Sequence, residues 1–330
     1  MKIGENGSTE ADEPSSRGTR LFRLLGAIAG AAAVVWIVRG ADVRAFEAAL
    51  RAASWPLIAL AAVLNLTVNT AARVFRWQAL LPPVPDSGRG ASFWVLLRLW
   101  LAGQLTNGLV PFRLGELVRI VGVSRRYRYP LKTASVALGA EKLVEGFSIA
   151  MFGLPLEFSS RPPPWLERMY AGLIVIAFIV LVAILRLSPS APEPIRPTGR
   201  VRRFRERVAE AVQVLRHPRV WTRSVAWSFT SDATDVALLV MCGAAVGVHL
   251  SLAAWCAVFL AINLAIAIPA APGHVGTLEA GAVLALMSMS VSRETALAVA
   301  LIYHGVHLLP VAAGGVTLAM PTLPTRRSMS

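Results

Sequence analysis

The sequence predicts an all-α polytopic membrane protein, with about six spanning helices and two re-entrant helical hairpins arranged as an inverted repeat. Three observations carry this. Of 330 residues, 55% are hydrophobic and 16% charged, with mean hydropathy +0.58, whereas a soluble chain carries about 25% charge. Apolar runs recur along the whole chain at the ~20-residue length that lets a helix cross ~30 Å of hydrocarbon, leaving no stretch for a soluble catalytic domain. Two of these runs are broken by Pro and Gly at corresponding places in two halves, Asn107-Gly108-Leu109-Val110-Pro111 and Pro269-Ala270-Ala271-Pro272-Gly273. The rival count makes each hairpin two full spans, giving eight or more in all. The net charge of +14 marks cytoplasmic loops and anionic headgroups rather than nucleic acid, which is not expected as a partner. Cys242 and Cys256 lie inside apolar runs and imply neither a disulfide framework nor a thiolate metal site.

Residues 1–20 read as a disordered cytoplasmic tail, acidic at Glu5, Glu10, Asp12 and Glu13. The first membrane half follows at 21–187. Its first span, at 21–38, comes after Arg17 and Arg20 and lacks a cleavage site, so it is expected to be retained with a cytoplasmic N-terminus. Residues 41–53 put Val43, Phe46, Ala49 and Leu50 on one face and Arg44, Glu47 and Arg51 away from it, the pattern of an interfacial helix. The second span, Trp55 to Ala72, ends at Arg73, Arg76 and Trp77, which reads as a basic and aromatic cytoplasmic border. Between two basic flanks, Arg89 and Arg125-Arg126, residues 92–121 cannot cross once without violating the charge rule, and the break at Pro111 lets them enter and return. Spans at 133–156 and 169–187 flank a Pro-rich external loop at Arg161 to Pro164.

A basic cytoplasmic loop at 188–223 carries nine arginines between Arg196 and Arg223 and is suited to dock on anionic lipid. The second half, 224–320, repeats the order: a span at 224–248, a broken pair at 252–290, and a last span at 295–318. Residues 321–330 form a cytoplasmic tail, with Arg326 and Arg327 inside. In secondary transporters, Pro- or Gly-interrupted segments matched in two inverted halves point to the substrate site.

Ionisable residues inside apolar helices each cost roughly 2.5–3.5 kcal/mol on insertion scales and need a partner or water. Asn65, Asn69, Arg73 and Arg76 fall at steps of four, four and three and form one polar stripe. Beyond Asn107 and Pro111, the first return arm carries Arg113, Glu116 and Arg119 at steps of three, and a helix starting at Pro111 offers free N–H groups to a lipid phosphate. Lys142 and Glu145 are one turn apart and able to neutralise each other, leaving Glu141 to pair with Arg73, Arg113 or Arg119. Ser228, Asp232 and Asp235 share a face, and Asp235 is deep enough to need a proton or a basic partner. Pro272-Gly273-His274-Val275-Gly276 starts another helix with Glu279 one turn in. His304 and His307 share a face of the last helix, where buried hydrogen bonding is preferred to metal binding, since no zincin-type pattern accompanies them. In the blander reading, Arg73 and Arg76 anchor to headgroups and Glu141, Lys142 and Glu145 form a structural ion-pair cluster.

Asn107-Gly-Leu-Val-Pro-Phe-Arg-Leu-Gly-Glu116-Leu-Val-Arg119 and Ile268-Pro-Ala-Ala-Pro-Gly-His-Val-Gly276-Thr-Leu-Glu279 resemble the two signature motifs of the lysylphosphatidylglycerol synthase transmembrane-region family, the flippase-like half of those enzymes. Ala72-Arg73-Val-Phe-Arg76-Trp77 and Glu141-Lys142-Leu-Val-Glu145 resemble its intervening motifs, so the likeness covers about residues 21 to 320. It implies a protein of the cell inner (plasma) membrane that moves a lipid or lipid-linked headgroup between leaflets, or assists a synthase. The chain departs from the family at Lys142 and Glu145, where Arg and Asp are usual, and at Tyr303-His304, where an Arg often follows the aromatic. The soluble aminoacyl-transfer domain of full-length synthases is not found in these residues, so lysyl-lipid synthesis is not expected.

These readings converge on a lipid translocase or scramblase, not an enzyme, with no cofactor and no metal. The expected partner is an anionic or aminoacylated phospholipid. Asn69, Arg73, Arg76, Asn107, Arg113, Glu116, Arg119, Gly273, His274 and Glu279 are the expected headgroup contacts. Glu141, Lys142, Glu145, Asp232, Asp235 and His304 are expected to provide ion pairs or coupling. No P-loop is present to take ATP. The alternatives are a non-transporting lipid-binding partner of a membrane synthase and, less favoured, an intramembrane enzyme acting on a lipid headgroup.

Overall fold

A computed structural model describes residue 35 and residues 42–85, 87–110, 114–154, 164–186, 209–267 and 272–319. The first span apart from Val35, the loop at 161–163, residues 188–208, both tails and Arg113 lie outside this set. Among the described residues there are helices and short turns but no strand.

Helix α1, Val43–Arg51, is capped by Asp42, whose carboxylate accepts from Arg44 N at 2.9 Å and Ala45 N at 3.4 Å. Phe46 turns onto the core while both neighbouring charged residues stay exposed. Helix α2, Trp55–Leu80, starts with proline in its first turn and runs for 26 residues. Over Asn65–Asn69 it loosens into one π-helical turn, a local widening that is frequent at functional sites. Arg73, Arg76 and Trp77, expected at a cytoplasmic border, lie within the helix rather than at its end. The helix continues past them, and Arg76 and Trp77 are each 2% exposed. Charge in that stripe is met by side chains of other helices.

Helices α3, Phe93–Leu109, and α4, Gly115–Tyr127, fold back on each other, as do α8, Leu252–Ala267, and α9, Thr277–Ser288. Each pair closes on a glycine. A Cβ on Gly115 would run into the carbonyl oxygen of Gly103, and one on Gly281 would sit 2.9 Å from the carbonyl oxygen of Ala261. The four arms have 17, 13, 16 and 12 residues, so at ~1.5 Å per residue they reach roughly 18–26 Å. That is short of the ~30 Å hydrocarbon layer. Helix α8 is buried on every side from Trp255 to Ile262, which explains why its sequence shows no polar face.

The remaining helices are α5, Leu131–Gly153; α6, Pro164–Arg186; α7, Pro218–Ala245; and α10, Arg293–Ala319. Helices α2, α7 and residues Arg293–Gly315 of α10 are each long and apolar enough to cross a membrane. The protein is an all-α polytopic membrane protein.

Two cores occupy opposite ends. One gathers Trp77, Leu80, Val84, Leu96, Tyr129 and Leu215; the other gathers Val248, Trp255, Phe259, Leu278, Leu286 and Leu297. The open end of the α3–α4 hairpin lies at the first. There Tyr129 donates its hydroxyl to Pro82 O at 2.6 Å, and Ser92 N donates to Tyr127 Oη at 2.9 Å. The open end of the α8–α9 hairpin lies at the second, where Ser54 N donates to Ala245 O at 2.8 Å and Asp42 N to Glu294 Oε1 at 3.4 Å. The hairpins thus enter the bundle from opposite ends and their breaks approach in its middle. A Cβ on Gly273 would lie 3.7 Å from Gly108 O.

Candidate functional site

Between the two breaks lies a cavity of about 210 Å³. The polar stripe of α2 forms one wall. Its π turn keeps Asn65 and Asn69 pointing inward with Arg73 and Arg76, so that Asn65 Nδ2 donates to Val306 O at 2.8 Å and Asn69 Nδ2 donates to Asn65 Oδ1 at 2.9 Å. Arg73 Nε then donates to Asn69 Oδ1 at 3.1 Å.

The charges of this wall are answered from α5 and α7. Arg73 Nη2 lies 2.6 Å from Asp235 Oδ2, and Asp235 Oδ1 also accepts from Asn69 Nδ2 at 2.6 Å. His307 Nε2 faces the same oxygen at 3.1 Å. Asp235 therefore has the basic partner its depth requires. Arg76 Nη2 reaches Glu141 Oε1 at 3.1 Å, while its Nη1 donates to Ser228 Oγ at 3.2 Å. Arg119, from α4, takes both oxygens of Glu141 at 3.2 and 2.6 Å and stacks 4.3 Å from the centroid of the Trp77 ring. Glu141 thus pairs with Arg119, as expected, but also with Arg76, and Arg73 is committed to Asp235 instead. Lys142 bridges Glu145 at 2.9 Å and Glu116 at 3.1 Å, joining α5 to α4.

Of the expected headgroup contacts, Asn69, Arg73, Arg76, Asn107, Glu116, Arg119, Gly273 and His274 line the cavity, together with Glu141, Lys142, Glu145 and His304. Asp235 stands directly behind Arg73. Asp232, one turn before it, is 3% exposed, and its Oδ2 has no hydrogen-bond partner among the described residues. The return arm differs from its expected form. Helix α4 begins at Gly115, and Gly115 N donates to Asn107 Oδ1 at 2.8 Å, so Asn107 satisfies that N–H from within the hairpin.

Glu279 is likewise engaged by the protein. It accepts from Gly276 N at 2.7 Å, closing the first turn of α9. Gly276 sits at φ 86°, where a side chain would be strained. The other oxygen of Glu279 meets His304 Nδ1, and His304 Nε2 lies 2.9 Å from Gly273 O. Sequence reasoning did not place Trp100 and Gln104, which line the cavity from α3. Gln104, three residues before Asn107 in an apolar helix, was the signal available.

Two unlike features share this pocket. Arg76 and Arg119, 2% and 7% exposed, keep Nε–H groups without an acceptor among the described residues, whereas Glu116, Lys142 and Glu145 are partly open at its rim. A membrane protein with a mixed-charge cavity at the meeting point of two helical hairpins is the class that fold and site define. Residues 23–315 match the family model described as the lysylphosphatidylglycerol synthase TM region, and the chain belongs to that family of membrane proteins acting on lipids. No curated protein matches the chain.

Proposed function

We propose that the protein moves the headgroup of a membrane phospholipid, anionic or aminoacylated, between leaflets through the cavity between the hairpin breaks. The single observation that carries this reading is the position of that cavity. It lies between hairpins entering from opposite ends, so each hairpin separates it from one side of the membrane. Short arms, buried helices around α8 and backbone breaks that border a polar cavity fit re-entrant hairpins in an inverted repeat. Arg73, the partly exposed guanidinium on the cavity wall, suits a phosphate oxygen, and Glu116 and Glu145 at the rim suit an amine. The basic loops fit an inner-membrane protein with both termini in the cytoplasm.

Reconstituted vesicles test this with fluorescent phosphatidylglycerol and phosphatidylethanolamine and chemical quenching of the outer leaflet. Quenching beyond that of empty vesicles, lost in Glu116→Ala and Arg119→Ala, is the expected result. Quenching at the empty-vesicle level with both lipids, from protein that still binds them, would favour a non-transporting partner of a membrane synthase.

A further inference from the structure

The partners of His304 are both acceptors. Nδ1 meets a Glu279 carboxylate oxygen and Nε2 lies 2.9 Å from Gly273 O. A neutral imidazole has one N–H and an ionised carboxylate has none, so the two contacts together require one more proton than that pair holds. Glu279 and His304 are each about 5% exposed, so the pair depends chiefly on these two contacts. We propose that the Glu279–His304 pair is a proton-binding latch. Protonated, it fastens Gly273 and the start of α9 to α10; on losing the proton, it releases one contact and frees the wall of the cavity that Gly273, His274 and Leu278 form. The proposal rests on the translocation reading for its purpose, since it names what opens and closes that site, but its geometry stands without it.

The groups around the pair are bonded elsewhere: His307, one turn along α10, also faces two acceptors, Tyr303 O at 3.0 Å and Asp235 Oδ1 at 3.1 Å, but neither belongs to Glu279. From α9 the facing group is Glu279, and from the turn before it His274. Helix α7 brings Asp235 and, one turn earlier, Asp232, with Asp235 held by Arg73 of α2, Asn69 and His307. Helix α3 carries Arg98 alone, nearly three turns from Gly108. Helix α1, with Arg44, Glu47 and Arg51, meets the far start of α10 near Arg293 and Glu294. On α10 itself, Tyr303 packs at a tilt against His307, 4.2 Å between centroids. Arg73 is already met by Asp235, so no cation among these is committed to Glu279.

Amide exchange tests the latch without requiring transport. In reconstituted protein between pH 5.5 and 8.5, exchange at Gly276–Ala280 is compared with exchange in α8, which corrects for the intrinsic pH dependence. In the wild type the ratio should rise about tenfold or more towards high pH, the effect of losing one charge-assisted hydrogen bond. His304→Arg, a fixed cation, should stay protected throughout. His304→Gln, whose two N–H donors sit on one nitrogen rather than on opposite sides of a ring, cannot span both acceptors and should be exposed throughout, and it decides the matter if the arginine variant fails to fold. A flat wild-type ratio, or a variant that keeps the wild-type pH profile, overturns the latch. Lipid flipping is read in parallel at pH 6 and pH 8. Its absence at both with an intact exchange profile refutes the transport reading alone, and flipping with a flat profile refutes the latch alone.

Discussion

Arg119 holds Glu141 through both terminal nitrogens, at 3.2 and 2.6 Å, while Arg76 reaches the same carboxylate at 3.1 Å. One anion therefore separates two buried guanidinium groups and ties α2, α4 and α5 together. Replacing it with an amide leaves two like charges facing each other in a low-dielectric interior. Glu141→Gln should destabilise the protein by about 3–5 kcal/mol, the usual cost of breaking a buried pair by removing one partner. Thermal unfolding in detergent measures this, and Glu141→Asp should fall between the two. A wild-type midpoint for the glutamine variant would mean that the cluster does not hold the helices.

Asp235 and Asp232 lie one turn apart on the same helix but differ in their partners. Asp235 receives Arg73, Asn69 and His307, whereas Asp232 has Ser231 Oγ at 3.4 Å. Asp235→Asn should cost about 2–3 kcal/mol, because it removes the nearer carboxylate of Arg73 and leaves Glu145 at 4.0 Å. Asp232→Asn should change stability by less than about 1 kcal/mol, since it removes no charged partner. The ranking of the two unfolding midpoints in one detergent is the check, and the reverse order would contradict the assignment of Arg73.

The hairpins were legible because proline and glycine interrupt runs that are otherwise too apolar to be anything but membrane helix. The polar stripe was legible for a related reason: ionisable groups at helical spacing cannot all face lipid. The burial of Arg76 was not. Arginine and tryptophan near the end of an apolar run are the same letters whether they border a membrane or sit among helices, and only the approach of Glu141 and Ser228 decides. Pairings such as His304 with Glu279 and Arg73 with Asp235 span 25 and 162 residues, so they follow from packing rather than from local spacing. The π turn at Asn65–Asn69 likewise has no local signature, and the partners of Asn65 and Asn69 lie far along the chain on α10 and α7.

Glycine 115 tests how the first hairpin closes. A Cβ there overlaps the backbone of Gly103, which cannot yield as a flexible side chain would, and it also meets Asn107 Oδ1 at 2.6 Å. Gly115→Ala should therefore destabilise by about 1–3 kcal/mol through overpacking. Gly146→Ala, in α5 with nothing within 4 Å of the added carbon, should be neutral or slightly stabilising by helix propensity. Equal midpoints for the two variants would show that the arms part without cost.

The direction from which each hairpin enters follows from hydrogen bonds at its open end, and labelling can read it. The bonds from Tyr129 to Pro82 and from Ser92 to Tyr127 bring both ends of the α3–α4 hairpin to one place. Ser87→Cys and Arg126→Cys should thus react with an impermeant thiol reagent from the same side of the membrane. At the other end, Asp42 bonds to Glu294 and Ser54 to Ala245, so Ser251→Cys and Ser292→Cys should react together from the opposite side. The native thiols Cys242 and Cys256 are buried and should give little background. If the first pair labelled from opposite sides, α3 and α4 would form a full crossing. Arms of 17 and 13 residues with a break between them would then span the bilayer end to end, which their side-by-side packing on Gly103 and Gly115 does not allow.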